Sequence, residues 1–185
     1  MSTIFISGSL SIKRLHELFI DRIQSIIESG FSVVVGDADG ADTSIQKELF
    51  RLNASDVTVY CSGAEPRNNI GSWAIETVHS TQRPGSRSFF TAKDIEMAKT
   101  ADYGLMIWDT KSTGTLSNVI ELLNNGHSSR VFINKDRSFI TVSDAQSLKQ
   151  LVKAMSDSAR SKAEEKISLS TKLAAIEHKQ FALSF

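Results

Sequence analysis

Val33-Val34-Val35-Gly36-Asp37-Ala38-Asp39-Gly40-Ala41-Asp42 and Leu105-Met106-Ile107-Trp108-Asp109-Thr110-Lys111-Ser112-Thr113-Gly114-Thr115 share one design. Each is a short apolar run, then a glycine-containing turn, then helix-like sequence. Strand, glycine turn and helix start together let backbone N–H groups and a helix dipole hold an anion. Two such turns in one chain predict a shared pocket at the carboxyl edge of a parallel sheet, suited to a nucleotide or sugar phosphate. The opening turn, Ser7-Gly8-Ser9, follows an apolar run at the same edge and adds Ser9 as a third contributor.

Working outward, residues 3–6 read as a first strand. Leu15, Leu18, Phe19, Ile23, Ile26 and Ile27 then recur at helical spacing, with Gly30 where a C-terminal cap belongs. Residues 31–35 lack polar alternation, as befits a strand covered on both faces. A helix is expected over 43–52, a strand over 57–60, a helix over 92–99, a strand over 103–108, a helix over 116–124 and a strand over 131–133. Residues 62–88 hold both prolines and show no clear period. They read as a long loop, with a short helix near 73–78 as an option. This alternation predicts an α/β fold with a mostly parallel sheet of about five strands.

Residues 1–140 are expected to form the binding domain and 141–185 a C-terminal helical extension. Ser143 and Gln146 have capping-box spacing ahead of Leu148, Leu151, Val152 and Met155. Beyond Ser156 apolar positions are sparse. Ile167, Leu173 and Ile176 make a narrow stripe, which reads as a solvated tail or as a helix that pairs with a second copy of the chain.

Composition narrows the function. Twenty-one Lys and Arg balance 21 Asp and Glu, so nothing global calls for an anionic partner. A local basic patch stays open, but neutral charge and scant basic clustering count against a DNA-associated module, and the expectation is no nucleic acid. The single Cys61 excludes an internal disulfide and a cysteine-built metal site. No membrane span or leader is evident, so the chain reads as cytoplasmic.

The turns supply the candidate ligand-binding residues: Gly8, Ser9, Gly36, Asp39, Gly40 and Asp42 as one wall, and Ser112, Thr113, Gly114 and Thr115 as the phosphate end. Gly36 and Gly40 allow close backbone approach. Asp42 could cap its helix or hold a ribose hydroxyl, and Asp37 is expected to face solvent. Asp37, Asp39 and Asp42 lack calcium-loop spacing, so no metal is expected. No Gly-Lys-Ser/Thr follows a four-residue gap, which argues against a Walker-type NTPase. No cofactor is called for. Trp73, Phe89 and Phe90 could stack a base, and Arg83 and Arg87 could close over a phosphate.

In order along the chain, Gly8-Ser9, Gly36-Asp37-Ala38-Asp39-Gly40-Ala41-Asp42, Lys93-Asp94-Ile95-Glu96-Met97 and Lys111-Ser112-Thr113-Gly114-Thr115 resemble the motifs of the SLOG superfamily. That is the Rossmann-like group containing the DprA and LOG proteins, and the match is nearest to its YspA/YpsA-like branch. The resemblance spans roughly residues 3–134. It implies a Rossmann-like three-layer sandwich and a nucleotide-derived small molecule at the glycine turns, with Lys93 in the site. Two departures stand out. The usual Arg-Asn pair is Lys93-Asp94. LOG-type enzymes, which cleave nucleoside monophosphates, carry Glu where this chain has Asn118, and the nearest carboxylate is Glu121. The leading expectation is therefore binding or sensing of a nucleotide. The alternative is an enzyme that cleaves or transfers an N-glycosidic bond, with Glu121 or Asp109 as its carboxylate.

Overall fold

The computed structural model describes residues 2–182. In chain order the elements are β1 (Thr3–Gly8), α1 (Glu17–Glu28), β2 (Ser32–Gly36), α2 (Ala41–Arg51), β3 (Val57–Cys61), β4 (Ala74–Thr77), α3 (Arg87–Thr100), β5 (Tyr103–Trp108), α4 (Thr113–Asn124), β6 (Ser128–Ile133), β7 (Ser138–Val142), α5 (Ala145–Val152), α6 (Asp157–Ile167) and α7 (Leu169–Ala182). The seven strands form one sheet in the order β4-β3-β2-β1-β5-β6-β7. Every pairing is parallel except β6 with β7.

Because strand side chains alternate between faces, the sheet divides its apolar residues between two cores. Ile4, Ile6, Val33, Val35, Leu105 and Ile107 pack with Phe19 and Ile23 of α1 and with Ile45 and Leu49 of α2. Phe5, Val34, Met106 and Trp108 face the other way, onto Met97 of α3 and Leu116, Val119 and Ile120 of α4. The result is the expected three-layer α/β sandwich.

Two strands beyond the expected five are both at sheet edges. β4 lies where a helix near 73–78 was an option; its residues are mostly exposed, so they carry no core-facing pattern to read. β7 folds back antiparallel beside β6. Trp73, a candidate for base stacking, is structural instead: its indole N–H donates to the Ala54 carbonyl at 2.8 Å. The capping box of α5 sits one residue later than expected. Asp144 is the N-cap, accepting from the Ser147 N–H at 2.7 Å, while the Ser147 hydroxyl accepts from the Asp144 N–H.

The last two helices are not a solvated tail. Ala159, Ala163, Leu169 and Ile176 are buried in the same core as α4 and β5, with Ile167 and Leu173 packed against it. The apolar stripe expected to pair with a second copy is thus covered within the chain. Ile176 is 3 % exposed, so Ile176→Ala should lower stability by about 2–5 kcal/mol, the usual cost of emptying a buried aliphatic site. Urea unfolding would measure it; an unchanged midpoint would show that α7 does not share the core.

Candidate functional site

The order of strands decides where a ligand can sit. From β1 the chain moves outward through β2 and β3 to the β4 edge, then returns by α3 to β5 on the other side of β1. The carboxyl ends of β1 and β5 form the switch point where the chain reverses direction, and that is where α/β sheets open a crevice. A cleft of about 860 Å³ lies there. It is lined by Gly8, Asp42, Lys93, Asp109, Ser112, Thr113, Gly114 and Thr115, so all three turns converge on it.

The second turn is held open by its own side chains. One Asp109 carboxylate oxygen accepts from the N–H groups of Lys111 at 2.9 Å and Ser112 at 2.7 Å, and the other accepts from the Ser11 hydroxyl at 2.6 Å. Burial pushes the Asp109 carboxyl up, but these hydrogen bonds outweigh it and hold it below the ordinary range. Thr110 between them takes a left-handed φ of 64°, an uncommon conformation for a β-branched residue that the carboxylate bonds stabilise. Ser112 caps α4, its hydroxyl accepting from the Thr115 N–H, and Ser9 joins the same hydroxyl chain through Thr115 at 3.2 Å. Thr113 and Gly114 then occupy the first turn of α4, where N–H groups lack helical partners. Arg87, from the start of α3, donates to the Thr113 hydroxyl at 3.0 Å, which puts a guanidinium beside that helix end.

The first turn serves a different purpose. Asp37 does not face solvent. It is 3 % exposed and takes a bidentate pair from Arg67, at 3.0 and 2.7 Å, plus the Arg67 backbone N–H. Burial opposes ionisation of Asp37, yet Arg67 keeps its carboxyl below the ordinary value. Asn68 donates to the Asp37 carbonyl and to the Asp39 carboxylate. The long 62–88 segment is therefore tied onto this turn, and Arg67 also lies over the Phe90 ring at 4.6 Å. Gly40 adopts φ 76° and packs against the Leu10 backbone, so it shapes the turn rather than lining the cleft. At Gly36 a Cβ would strike the Asp42 carboxylate and the Lys93 ammonium, at 2.5 Å in the latter case. That glycine makes room for a buried charge cluster.

The cluster is the electrostatic centre of the cleft. Lys93, 3 % exposed, lies 2.8 Å from Asp94, 3.9 Å from Asp37 and 4.0 Å from Asp42. Burial alone would lower the Lys93 ammonium, but the carboxylates of Asp94, Asp42 and Asp37 outweigh it and keep it charged. For Asp42 the balance tips the other way: burial pushes its carboxyl up to about 6, against the pull of Lys93 and the Ser7 hydroxyl. A carboxyl raised on folding stabilises the fold fully below its unfolded value of 3.8, and that contribution is lost as pH rises through about 6. Relative to Asp42→Asn, the wild-type chain should therefore lose stability between about pH 4 and 6 and show a constant difference above. Parallel pH profiles for the two proteins would refute this.

Of the other residues expected in the site, Ser9, Gly36, Asp39 and Gly40 do not line the cleft: Ser9 and Gly36 are buried beside it, Gly40 shapes its turn, and Asp39 is exposed and held by Asn68. Glu121 is not in it; it borders a neighbouring cavity and pairs with Lys172 at 3.4 Å. Three cationic wall residues went unread in the sequence: Arg67 from the long loop, and Lys162 and Lys166 from α6. The lysines follow Ser158 at four-residue spacing, a one-face pattern that was legible. Arg67 carried no signal, because its partner Asp37 is thirty positions away. Among the described residues no group of His, Cys, Asp and Glu is arranged to hold a metal, and no helix is long and apolar enough to cross a membrane.

No protein-family model and no curated protein sequence matches the chain. Solved structures do match. DNA processing protein A (DprA) from Helicobacter pylori aligns with a TM-score of 0.54 at 14% identity, over 70% of this chain and 64% of that one. DprA from Streptococcus pneumoniae aligns with a TM-score of 0.57 at 13% identity, over 82% of this chain and 56% of that one. The fold is DprA-like, as the SLOG resemblance implied. This chain thus spans less than two thirds of the length of either neighbour.

The Helicobacter protein is described as binding single-stranded DNA. That overturns the expectation that nucleic acid is no partner for this chain. The physical error lay in averaging. Net charge over the whole chain is zero, yet the cleft wall gathers Arg67, Arg87, Lys93, Lys111, Lys162 and Lys166 against Asp42, Asp94 and Asp109. A phosphate responds to the local field, not to the total.

Proposed function

We propose that this chain binds a nucleotide or a nucleotide-derived small molecule, with a phosphate at the α4 N-terminus and the remainder of the ligand directed toward Asp42 and Lys93. Residues 1–140 form the binding domain, and 141–185 are an extension that contributes Lys162 and Lys166 to its wall. The observation that carries this reading is the convergence, at the sheet's switch point, of a helix N-terminus, the Arg87 guanidinium and a buried Lys93–Asp42 pair. Cationic and backbone donors answer a phosphate; a neutral or ionised Asp42 answers a sugar hydroxyl or a base N–H. Binding is favoured over glycosidic chemistry because Asp109 is occupied by three hydrogen bonds and Glu121 by Lys172.

A second reading is that the bound nucleotide belongs to a single strand of DNA. The excess of cations on the cleft wall supports it, as does the DprA-like fold. Calorimetry with AMP and with an oligothymidine strand tests both, with base release followed in the same samples. Saturable AMP binding without release of adenine supports the first reading; binding of the strand alone supports the second. Absence of binding by either would refute both.

A further inference from the structure

A second cavity, of about 660 Å³, adjoins the first. Arg87, Thr91, Asp94, Gly114, Asn118 and Lys166 line both, so the two are halves of one groove. Gly114, the exposed residue in the first turn of α4, lines both and so stands at their junction. Drug-sized ligands fill cavities of about 300–1,000 Å³, so each half can take a group of its own.

Asn118 marks the junction independently. Its residue is 4 % exposed, it faces both cavities, and its side-chain amide makes no hydrogen bond to another described residue. Ser117, 9 % exposed on the second cavity, likewise leaves its hydroxyl without a described partner. Neither polar group is sealed away from the cavity, so two side chains without a described partner stand open on a single wall, as a ligand-reading surface requires. An amide both donates and accepts, so it can pair with a base edge, a sugar hydroxyl or a phosphate oxygen.

Resting on the reading of the first cleft as a nucleotide site, we infer that the ligand's phosphate is internal. It bridges two nucleoside-like groups, one in each cavity, with Arg87 and the α4 N-terminus on the phosphate and Asn118 and Ser117 on the second group. The groove continues past the α4 N-terminus into the second cavity, so a phosphate held there has room for a group on either side. Lys166 lies beside the junction and lacks a carboxylate partner among the described residues, so it is available to the same phosphate. The ligand class is thus a dinucleotide, either free or as a step within a single strand.

The test compares AMP, the dinucleotide pdApdA and an oligothymidine strand by calorimetry. It uses the wild-type chain and two variants that alter the second cavity. Ser88 is exposed on α3 and lines only that cavity, so Ser88→Trp should occlude it without disturbing the fold. Asn118→Leu keeps the volume and removes the amide. The expected result is pdApdA binding at least about tenfold tighter than AMP. Ser88→Trp should erase the difference while leaving AMP unchanged, and Asn118→Leu should reduce it. Tighter binding of the strand than of pdApdA assigns the source to single-stranded nucleic acid; weaker binding assigns it to a free dinucleotide. Equal affinity for AMP and pdApdA, insensitive to Ser88→Trp, would overturn the inference while leaving the nucleotide reading intact. Failure of all three probes to bind would instead refute the nucleotide reading itself.

Discussion

Gly114→Val is expected to abolish nucleotide binding and to leave the fold intact. Gly114 is exposed in the first turn of α4, and a Cβ there would meet nothing nearer than the Ser112 hydroxyl at 3.8 Å. Valine is no worse a helix former than glycine, so stability should hold or rise slightly. The new isopropyl group would stand over the N–H groups of Thr113 and Gly114. Each charge-assisted hydrogen bond lost to a phosphate costs about 1.5–3 kcal/mol. Loss of two predicts a fall in affinity of about a hundredfold or more. Circular dichroism and urea unfolding would confirm the fold, and calorimetry with AMP would read the affinity. A folded variant that binds AMP as the wild type does would remove the phosphate from the α4 N-terminus.

Lys93→Met should cost the most stability of any single change at the cleft. The side chain is buried among Asp37, Asp42 and Asp94, and only Arg67 would remain to offset three carboxylates. Methionine preserves most of the packing of the stem, so the effect isolates the charge. Removing one partner from a buried ion pair typically costs about 3–5 kcal/mol, because the other charge is left uncompensated. Urea unfolding at neutral pH should show a loss of that order. It should shrink as pH falls and the carboxylates take up protons, and the double variant Lys93→Met/Asp42→Asn should recover part of it. If the single and double variants prove equally unstable, the cluster is not coupled as the distances imply.

Much of the architecture was legible because parallel strands buried on both faces are nearly continuous apolar runs. Val33-Val34-Val35 and Leu105-Met106-Ile107-Trp108 announce themselves without knowledge of their neighbours. The turns after them were legible for a related reason: glycine with Ser, Thr and Asp before a helix is a local chemical statement. From these the α/β sandwich, the carboxyl-edge cleft and the donor cluster of Ser112, Thr113, Gly114 and Thr115 all follow. The edge strands β4 and β7 were missed because each meets a neighbour on one side only, and β4 buries almost nothing. The capping box slipped by one residue because serines and an aspartate stand together at 143, 144 and 147, and only the backbone geometry selects among them.

Tertiary structure alone decided the electrostatics. Asp37 and Asp42 are both acidic residues of one turn. Arg67 arrives from a distant loop to keep the first ionised, whereas the second lies enclosed with Lys93 and titrates near 6. Lys93 is a helix residue whose burial follows from the Gly36 gap beneath it. The zero net charge read along the chain concealed a cationic wall, because α6 and the start of α3 bring Lys162, Lys166 and Arg87 to the same groove. Local sequence determines which segments become strands, turns and helix starts, since those depend on near neighbours and on the period of burial. Which charges meet, and which stay in water, depends on contacts between residues far apart in the chain, and only the folded arrangement sets them.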